Sequence, residues 1–167
     1  MGTTENGRTI YCRERDHMGN SYISFYMHYI FSTKQRLPLI VPEIQDRLWP
    51  YMVGIARQNN LKALAVGGMP DHIHLVLSLP ATISISKAIQ IIKGNSAKWI
   101  NENFDTPSHF SWQKGYGAFS INISILQNTI RYLQKQPEHH RHKSFKEEYL
   151  GFLKKNEVVY DERYVWA

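Results

Sequence analysis

Residues 22–32 alternate between two kinds of position: Ile23, Phe25, Met27, Tyr29 and Phe31 against Tyr22, Ser24, Tyr26, His28 and Ile30. Successive side chains of a strand point to opposite faces, so this period of two predicts a first β-strand with one apolar and one polar-aromatic face. Pro42 then opens a stretch in which Ile44, Leu48, Met52 and Ile55 recur at helical spacing, and proline suits a first helical turn. Pro50 sits inside that stretch and predicts a kink or split, since it removes a backbone donor at a cost of about 3 kcal/mol. A short strand at 62–66, a turn Gly67-Gly68-Met69-Pro70-Asp71 and an alternating run at 72–79 predict a hairpin. Ser84 or Ser86 can cap a second helix carrying Ile85, Ile89, Ile92, Trp99 and Ile100. A further strand with a glycine-rich opening spans 112–123. Ser124 with Gln127 makes a capping box for a helix running to about Gln136, which Pro137 discourages from continuing. Ser144 with Glu147 repeats the box for a last helix, 145–155.

Strand, helix, strand, strand, helix, strand, then helices is the order of an α+β fold. It predicts a ferredoxin-like βαββαβ sandwich, RRM-like, with an antiparallel sheet, helices on one face and extra C-terminal helices. The open face would carry His28, His72 and His74. Residues 1–20 lack periodicity and read as a flexible N-terminal extension, with Met18 as an alternative start. Residues 21–167 read as one domain.

Asp71-His72-Ile73-His74 is the most informative stretch for chemistry. His72 and His74 lie at i and i+2, so they project side by side while Ile73 turns into the core. Two imidazole nitrogens so placed suit a divalent ion; a strand with two solvated histidines fits the triplet equally well. On the helix ending near Gln136, Tyr132 and Gln136 are one turn apart and share a face. The chain has ten tyrosines, so that spacing alone does not single out Tyr132.

Composition narrows the classes. A chain of 167 residues, 43% hydrophobic and 20% charged, is sized for a single soluble domain. No apolar run approaches the roughly 20 residues of a membrane span, and no secretory leader is visible. The one cysteine, Cys12, excludes an internal disulfide and fits a reducing cytoplasm. A net charge of +6, spread over the chain, suits a polyanion held across a folded face. No phosphate-cradling G-x-x-x-x-G-K-[ST] motif occurs, so no nucleotide cofactor is expected.

Several segments taken together resemble a known family: Ser32-Thr33-Lys34-Gln35-Arg36-Leu37-Pro38, Asp71-His72-Ile73-His74, Trp112-Gln113-Lys114-Gly115-Tyr116-Gly117-Ala118-Phe119-Ser120 and Tyr132-Leu133-Gln134-Lys135-Gln136-Pro137-Glu138-His139-His140. Phe145-Lys146-Glu147-Glu148-Tyr149 and Asp161-Glu162-Arg163-Tyr164-Val165-Trp166 continue the likeness. In this order they resemble the single-tyrosine transposases of the HUH endonuclease superfamily, the insertion-sequence 200/605 group. The resemblance implies Tyr132 as nucleophile and His72, His74 and Gln136 as ligands of Mg²⁺ or Mn²⁺. It also implies cleavage and rejoining of single-stranded DNA through a 5′-phosphotyrosine, a hairpin at the element's ends as substrate, and a homodimer whose active sites are shared between subunits. Lys34, Arg36, Lys93, Lys114 and Arg131 would then meet phosphates, and Trp112, Tyr116 and Phe119 would stack on bases.

Three alternatives compete. A non-catalytic single-stranded nucleic-acid-binding module shares the fold, and an HUH replication-type nickase shares the chemistry. A small metallohydrolase would use His72 and His74 but has no acidic third ligand at helical or strand spacing. The histidine-rich stretch Glu138-His139-His140-Arg141-His142-Lys143 reads as solvated or phosphate-contacting rather than as a second metal site.

Overall fold

A computed structural model describes residues 22–139 and 144–166. The N-terminal extension, with Cys12 and Met18, and the 140–143 part of the histidine-rich stretch lie outside the described residues. Strands β1 (Tyr26–Ser32), β2 (Lys62–Met69), β3 (His72–Ser78) and β4 (Gly117–Ile121) form one sheet in the order β2-β3-β1-β4. Every neighbouring pair is antiparallel. Helix α1 (Pro42–Gln58) joins β1 to β2 and α2 (Ile85–Asn103) joins β3 to β4, which completes the predicted βαββαβ order. Helices α3 (Ile123–Gln134), α4 (Gln136–His139), α5 (Phe145–Lys155) and α6 (Glu162–Val165) follow. No helix among the described residues is long and apolar enough to cross a membrane.

The alternation of β1 and β3 sorts their side chains. Met27, Tyr29, Phe31, Ile73, Leu75 and Leu77 are buried with Ile44, Leu48, Met52 and Ile55 of α1 and Ala88, Ile89, Ile92 and Ile100 of α2. A fully buried aliphatic or aromatic side chain contributes about 1.5–3 kcal/mol, so this layer is the main source of stability. The opposite face holds His28, Ile30, His72, His74 and Val76, and it is not open. Val76, Ile121, Leu126 and Leu133 form a small cluster in which α3 lies on the sheet. Ile30, Phe119, Phe145 and Leu153 form a second, in which α5 does.

Several boundaries differ from those the sequence predicts. Strand β1 starts at Tyr26 rather than 22 because both its ladders stop there, opposite Ser78 and Ile121. Helix α1 runs through Pro50 without splitting. The carbonyl that Pro50 deprives of a donor belongs to Asp46, an exposed residue that water can serve. Strand β2 continues through Gly67 and Gly68, which pair with His74 and Ile73, so the turn is only Pro70-Asp71. Trp112 makes a lone bridge to Thr33, and β4 proper begins at Gly117. Ser84 caps α2, as one of the two predicted alternatives. Asn122, not Ser124, caps α3: its side chain accepts from the Ser124 backbone N–H at 2.9 Å. Helix α3 stops at Gln134, Lys135 is a non-helical link, and Gln136 begins α4. Pro137 has no N–H to return to the carbonyl of Leu133, which accounts for the break. The Ser144–Glu147 capping box forms as predicted.

Candidate active site

Strand β3 delivers His72 and His74 side by side, both buried, onto the face beneath α3 and α5. Asp71, from the hairpin turn, accepts a hydrogen bond from His72 Nδ1 at 2.7 Å. On β1, buried His28 has its Nε2 3.0 Å from His74 Nδ1. These contacts fix both rings so that each Nε2 faces the same point. Phe145 at the start of α5 stacks on His72, with ring centroids 4.1 Å apart.

Gly67 brings the second group of residues close. It pairs with His74, and a Cβ there would lie 2.8 Å from the backbone oxygen of Leu133. Only a residue without a side chain lets the end of α3 settle this low on the sheet. Tyr132 and Gln136 are thereby carried to the histidines of their own chain. They sit on two successive helical segments rather than on one helix, yet still face the same way.

They meet at Glu148, one turn into α5 and only 4% exposed. Its Oε1 accepts hydrogen bonds from the Tyr132 hydroxyl and, at 3.1 Å, from Gln136 Nε2. Its Oε2 lies 3.4 Å from His74 Nε2 and 3.8 Å from His72 Nε2. Burial opposes the charge on Glu148, but His74 and the donors Tyr132 and Gln136 outweigh it and hold the carboxyl well below the usual range. Burial and then the Glu148 carboxylate push the Tyr132 phenol up. Burial, with His74 beside it, pulls His28 down to about 3, so it is neutral at pH 7.

This donor set fits a divalent cation. With Nδ1–H committed to Asp71, His72 turns its other ring nitrogen, Nε2, toward Glu148, as a metal-ligating histidine does. Gln136 Oε1 is buried and has no hydrogen-bond partner among the described residues. Two imidazole nitrogens and a carboxylate oxygen converging at one buried point, with a buried amide on the neighbouring Gln136, are what a cation satisfies. His72, His74 and Glu148 form a cluster whose ligand atoms lie within 4.8 Å of one another.

Glu148 and His28 received no ligand or catalytic role from the sequence, although the resemblance included Glu148 in its motif and His28 was placed on this face. No acidic group lies at helical or strand spacing from the histidines, yet one reaches them: the carboxylate comes from α5 through the tertiary fold. One local signal was present. Phe145, Tyr149, Phe152 and Leu153 make an apolar helical stripe, and Glu148 falls inside it.

The residues expected to meet DNA divide. Lys34, Arg36, Lys114, Tyr116 and Arg131 are exposed. Arg36 lies over the Trp166 ring at 5.3 Å. Lys93 is partly buried, and its ammonium donates to the carbonyls of Gln113, Lys114 and Gly115 at 2.6, 3.3 and 3.0 Å, tying down the loop before β4. Trp112 belongs to the core: its Nε1 donates to Ser96 at 3.0 Å, and its ring meets Phe31 and Phe110 edge-on. Its faces are used by protein packing rather than held out for bases, and Phe119 is likewise buried, stacked on Phe152 with ring centroids 5.6 Å apart.

Sequence comparison gives the family of a chain that combines this sheet with these helices. Residues 21–136 match the model of the IS200-like transposases, and the chain belongs to that family. It is 35% identical over 124 residues to the ISDra2 transposase TnpA of Deinococcus radiodurans, covering 72% of this chain and 87% of that protein. It is 24% identical over 112 residues to the transposase of insertion sequence element IS200 from Salmonella typhimurium, covering 63% and 74%. A crystal structure from Deinococcus radiodurans assigned as a transposase superposes with a TM-score of 0.57 at 26% identity, covering 72% of this chain and 97% of that one. A REP-associated tyrosine transposase bound to a REP hairpin shares the fold, with a TM-score of 0.55 at 16% identity over 75% and 74%.

Proposed function

We propose that this transposase cleaves and rejoins single-stranded DNA through a 5′-phosphotyrosine on Tyr132, with His72, His74 and Gln136 holding Mg²⁺ or Mn²⁺. The observation that carries this reading is the meeting of the Tyr132 hydroxyl and Gln136 amide with the two histidines at one buried carboxylate. A groove of about 470 Å³ lined by Asn128, Tyr132, Glu148 and Phe152 opens onto that point and gives a strand access to the phenol.

In the forward step the Tyr132 oxygen attacks phosphorus, the bond to the 3′ oxygen breaks, and a free 3′-hydroxyl leaves. The reverse attack by a 3′-hydroxyl rejoins the strand, so no nucleotide is consumed. Glu148 orients the phenol through its hydrogen bond, and His28 and Asp71 hold the rings of His74 and His72. A divalent ion held by His72, His74 and Gln136 would supply positive charge to offset the phosphodiester and favour the phenolate.

Exposed Lys34, Arg36, Lys114 and Arg131 supply phosphate contacts, and Tyr116 a stacking surface. The binding of a REP hairpin by a protein of the same fold supports a hairpin-bearing substrate. A homodimer is the expected assembly, to be checked by light scattering at micromolar concentration. Within one chain Tyr132 already lies beside His74, with ring centroids 6.2 Å apart, so each copy can use its own tyrosine.

Incubation with labelled hairpin-bearing single-stranded DNA and Mg²⁺ or Mn²⁺, read on denaturing gels, tests the reading. The wild type should form a covalent adduct, and Tyr132→Phe should reduce it at least about 10³-fold. An adduct that survives the substitution removes Tyr132 as nucleophile. Cleavage without any adduct would favour a metallohydrolase, and binding alone a non-catalytic module.

A further inference from the structure

The family match ends at Gln136, and Glu148 lies beyond it, on a helix with its own reasons to be where it is. The Ser144 capping box fixes the start of α5. Phe145 stacks on His72, and Phe152 meets the rings of His28 and Tyr132 edge-on. A carboxylate kept inside this apolar stripe is costly unless it is paired or holds a cation.

Its two oxygens have separate neighbours. Oε1 takes the hydrogen bonds from Tyr132 and Gln136, while Oε2 faces the Nε2 atoms of His74 and His72 at 3.4 and 3.8 Å. Asp71 accepts the Nδ1 proton of His72, which leaves Nε2, the atom facing Oε2, as the nitrogen placed to ligate an ion. A cation between Oε2 and the two Nε2 atoms would be held by all three. Adjacent ligand atoms of an octahedral ion at ordinary metal–oxygen distances lie about 3 Å apart, so only a small closure is needed.

We propose that Glu148 is itself a ligand of the divalent cation, supplied by α5 to a site otherwise made of His72, His74 and Gln136. The inference rests on the metal-binding reading above. Two imidazoles and an amide are neutral; adding a carboxylate makes the set anionic and suits it to a hard ion such as Mn²⁺ or Mg²⁺. The same carboxylate touches Tyr132, so one residue links the nucleophile to the ion.

Mn²⁺ binding to the full chain, measured by calorimetry and by the EPR signal of free ion, tests this without DNA. Glu148→Gln keeps the shape but drops the charge and should weaken binding at least about tenfold, His74→Ala at least as much, and Tyr132→Phe by less than about twofold. Loss in His74→Ala with unchanged affinity in Glu148→Gln overturns the role of Glu148 and leaves the histidine site standing. No Mn²⁺ binding by the wild type overturns both readings. Should Glu148→Gln fail to fold by circular dichroism, the infrared carboxylate band of the wild type decides: it should shift on Mn²⁺ addition, and an unmoved band overturns the proposal.

Discussion

Along β3, Ile73, Leu75 and Leu77 enter an apolar layer shared with α1 and α2, while the alternate residues His72 and His74 enter the seam between α3 and α5. The first face is one large cluster whose few polar groups, such as the Tyr29 hydroxyl and the Trp112 indole N–H, are hydrogen-bonded within it. The second divides into two small apolar clusters, with His28, His72, His74, Tyr132, Gln136 and Glu148 gathered where α3 and α5 meet. Stability and chemistry are thus separated by the thickness of one strand. Mutations one residue apart should therefore report different properties.

The largest effect on stability is expected from Leu75→Ala, at about 2–5 kcal/mol, as for a fully buried leucine whose cavity cannot collapse. Denaturant titration checks it. The surviving folded fraction should still form the DNA adduct at near wild-type rate, and a loss of specific activity would break the separation of the faces.

Gly67→Ala acts from the other side. The added methyl would meet the Leu133 backbone, which must shift at a cost of about 1–3 kcal/mol. Adduct formation should fall more than the melting temperature does, because α3 carries Tyr132 away from the histidines. An unchanged adduct yield would show that α3 need not sit so low.

Acid should attack the polar face selectively. The folded-state pKa of His28 is lowered to about 3 from 6.5, so between those values the unfolded chain binds more protons than the folded one. Stability contributed there is present above pH 6.5 and falls by up to about 1.4 kcal/mol per unit as pH drops toward 3. Glu148, held below its usual value, adds a loss of the same sign below about pH 4.5. His28→Gln should flatten the slope between pH 6.5 and 4.5 in equilibrium unfolding, and an unchanged slope there would assign the acid sensitivity elsewhere.

The smallest effect is expected at the rim. Arg36→Ala or Lys114→Ala should weaken single-stranded DNA binding a few-fold and lower the slope of log affinity against log salt by about 0.7 each. Fluorescence anisotropy across a salt series measures both, and an unaltered slope would remove that residue from the phosphate contacts.

Much of this was legible in the amino-acid order because alternation and capping are local. The period of two in β1 and β3 placed His28, His72 and His74 on one face, and Ser144 with Glu147 marked the start of α5. Tyr132 and Gln136 were legible through family resemblance, since spacing alone could not choose among ten tyrosines. Glu148 escaped because its partners are contributed by β3, α3 and α4, and no pairwise spacing encodes the way α5 folds back. Trp112 and Lys93 were read by residue type, which is silent on burial: one ring is spent on Phe31 and Phe110, and one ammonium on three carbonyls. Pro50 does not split α1, because its neighbours Leu48 and Met52 are anchored in the core on the other side.

Because α5 roofs part of the sheet, cutting the chain after α4 would have an effect out of proportion to the family match. Such a fragment keeps every matched residue, yet it bares Ile30, Phe119 and the rings of His28 and His74 to water. An apolar patch of that kind, beside an unguarded sheet surface, invites self-association. The terminal segment therefore serves as a solubilising cover as well as a neighbour of the tyrosine.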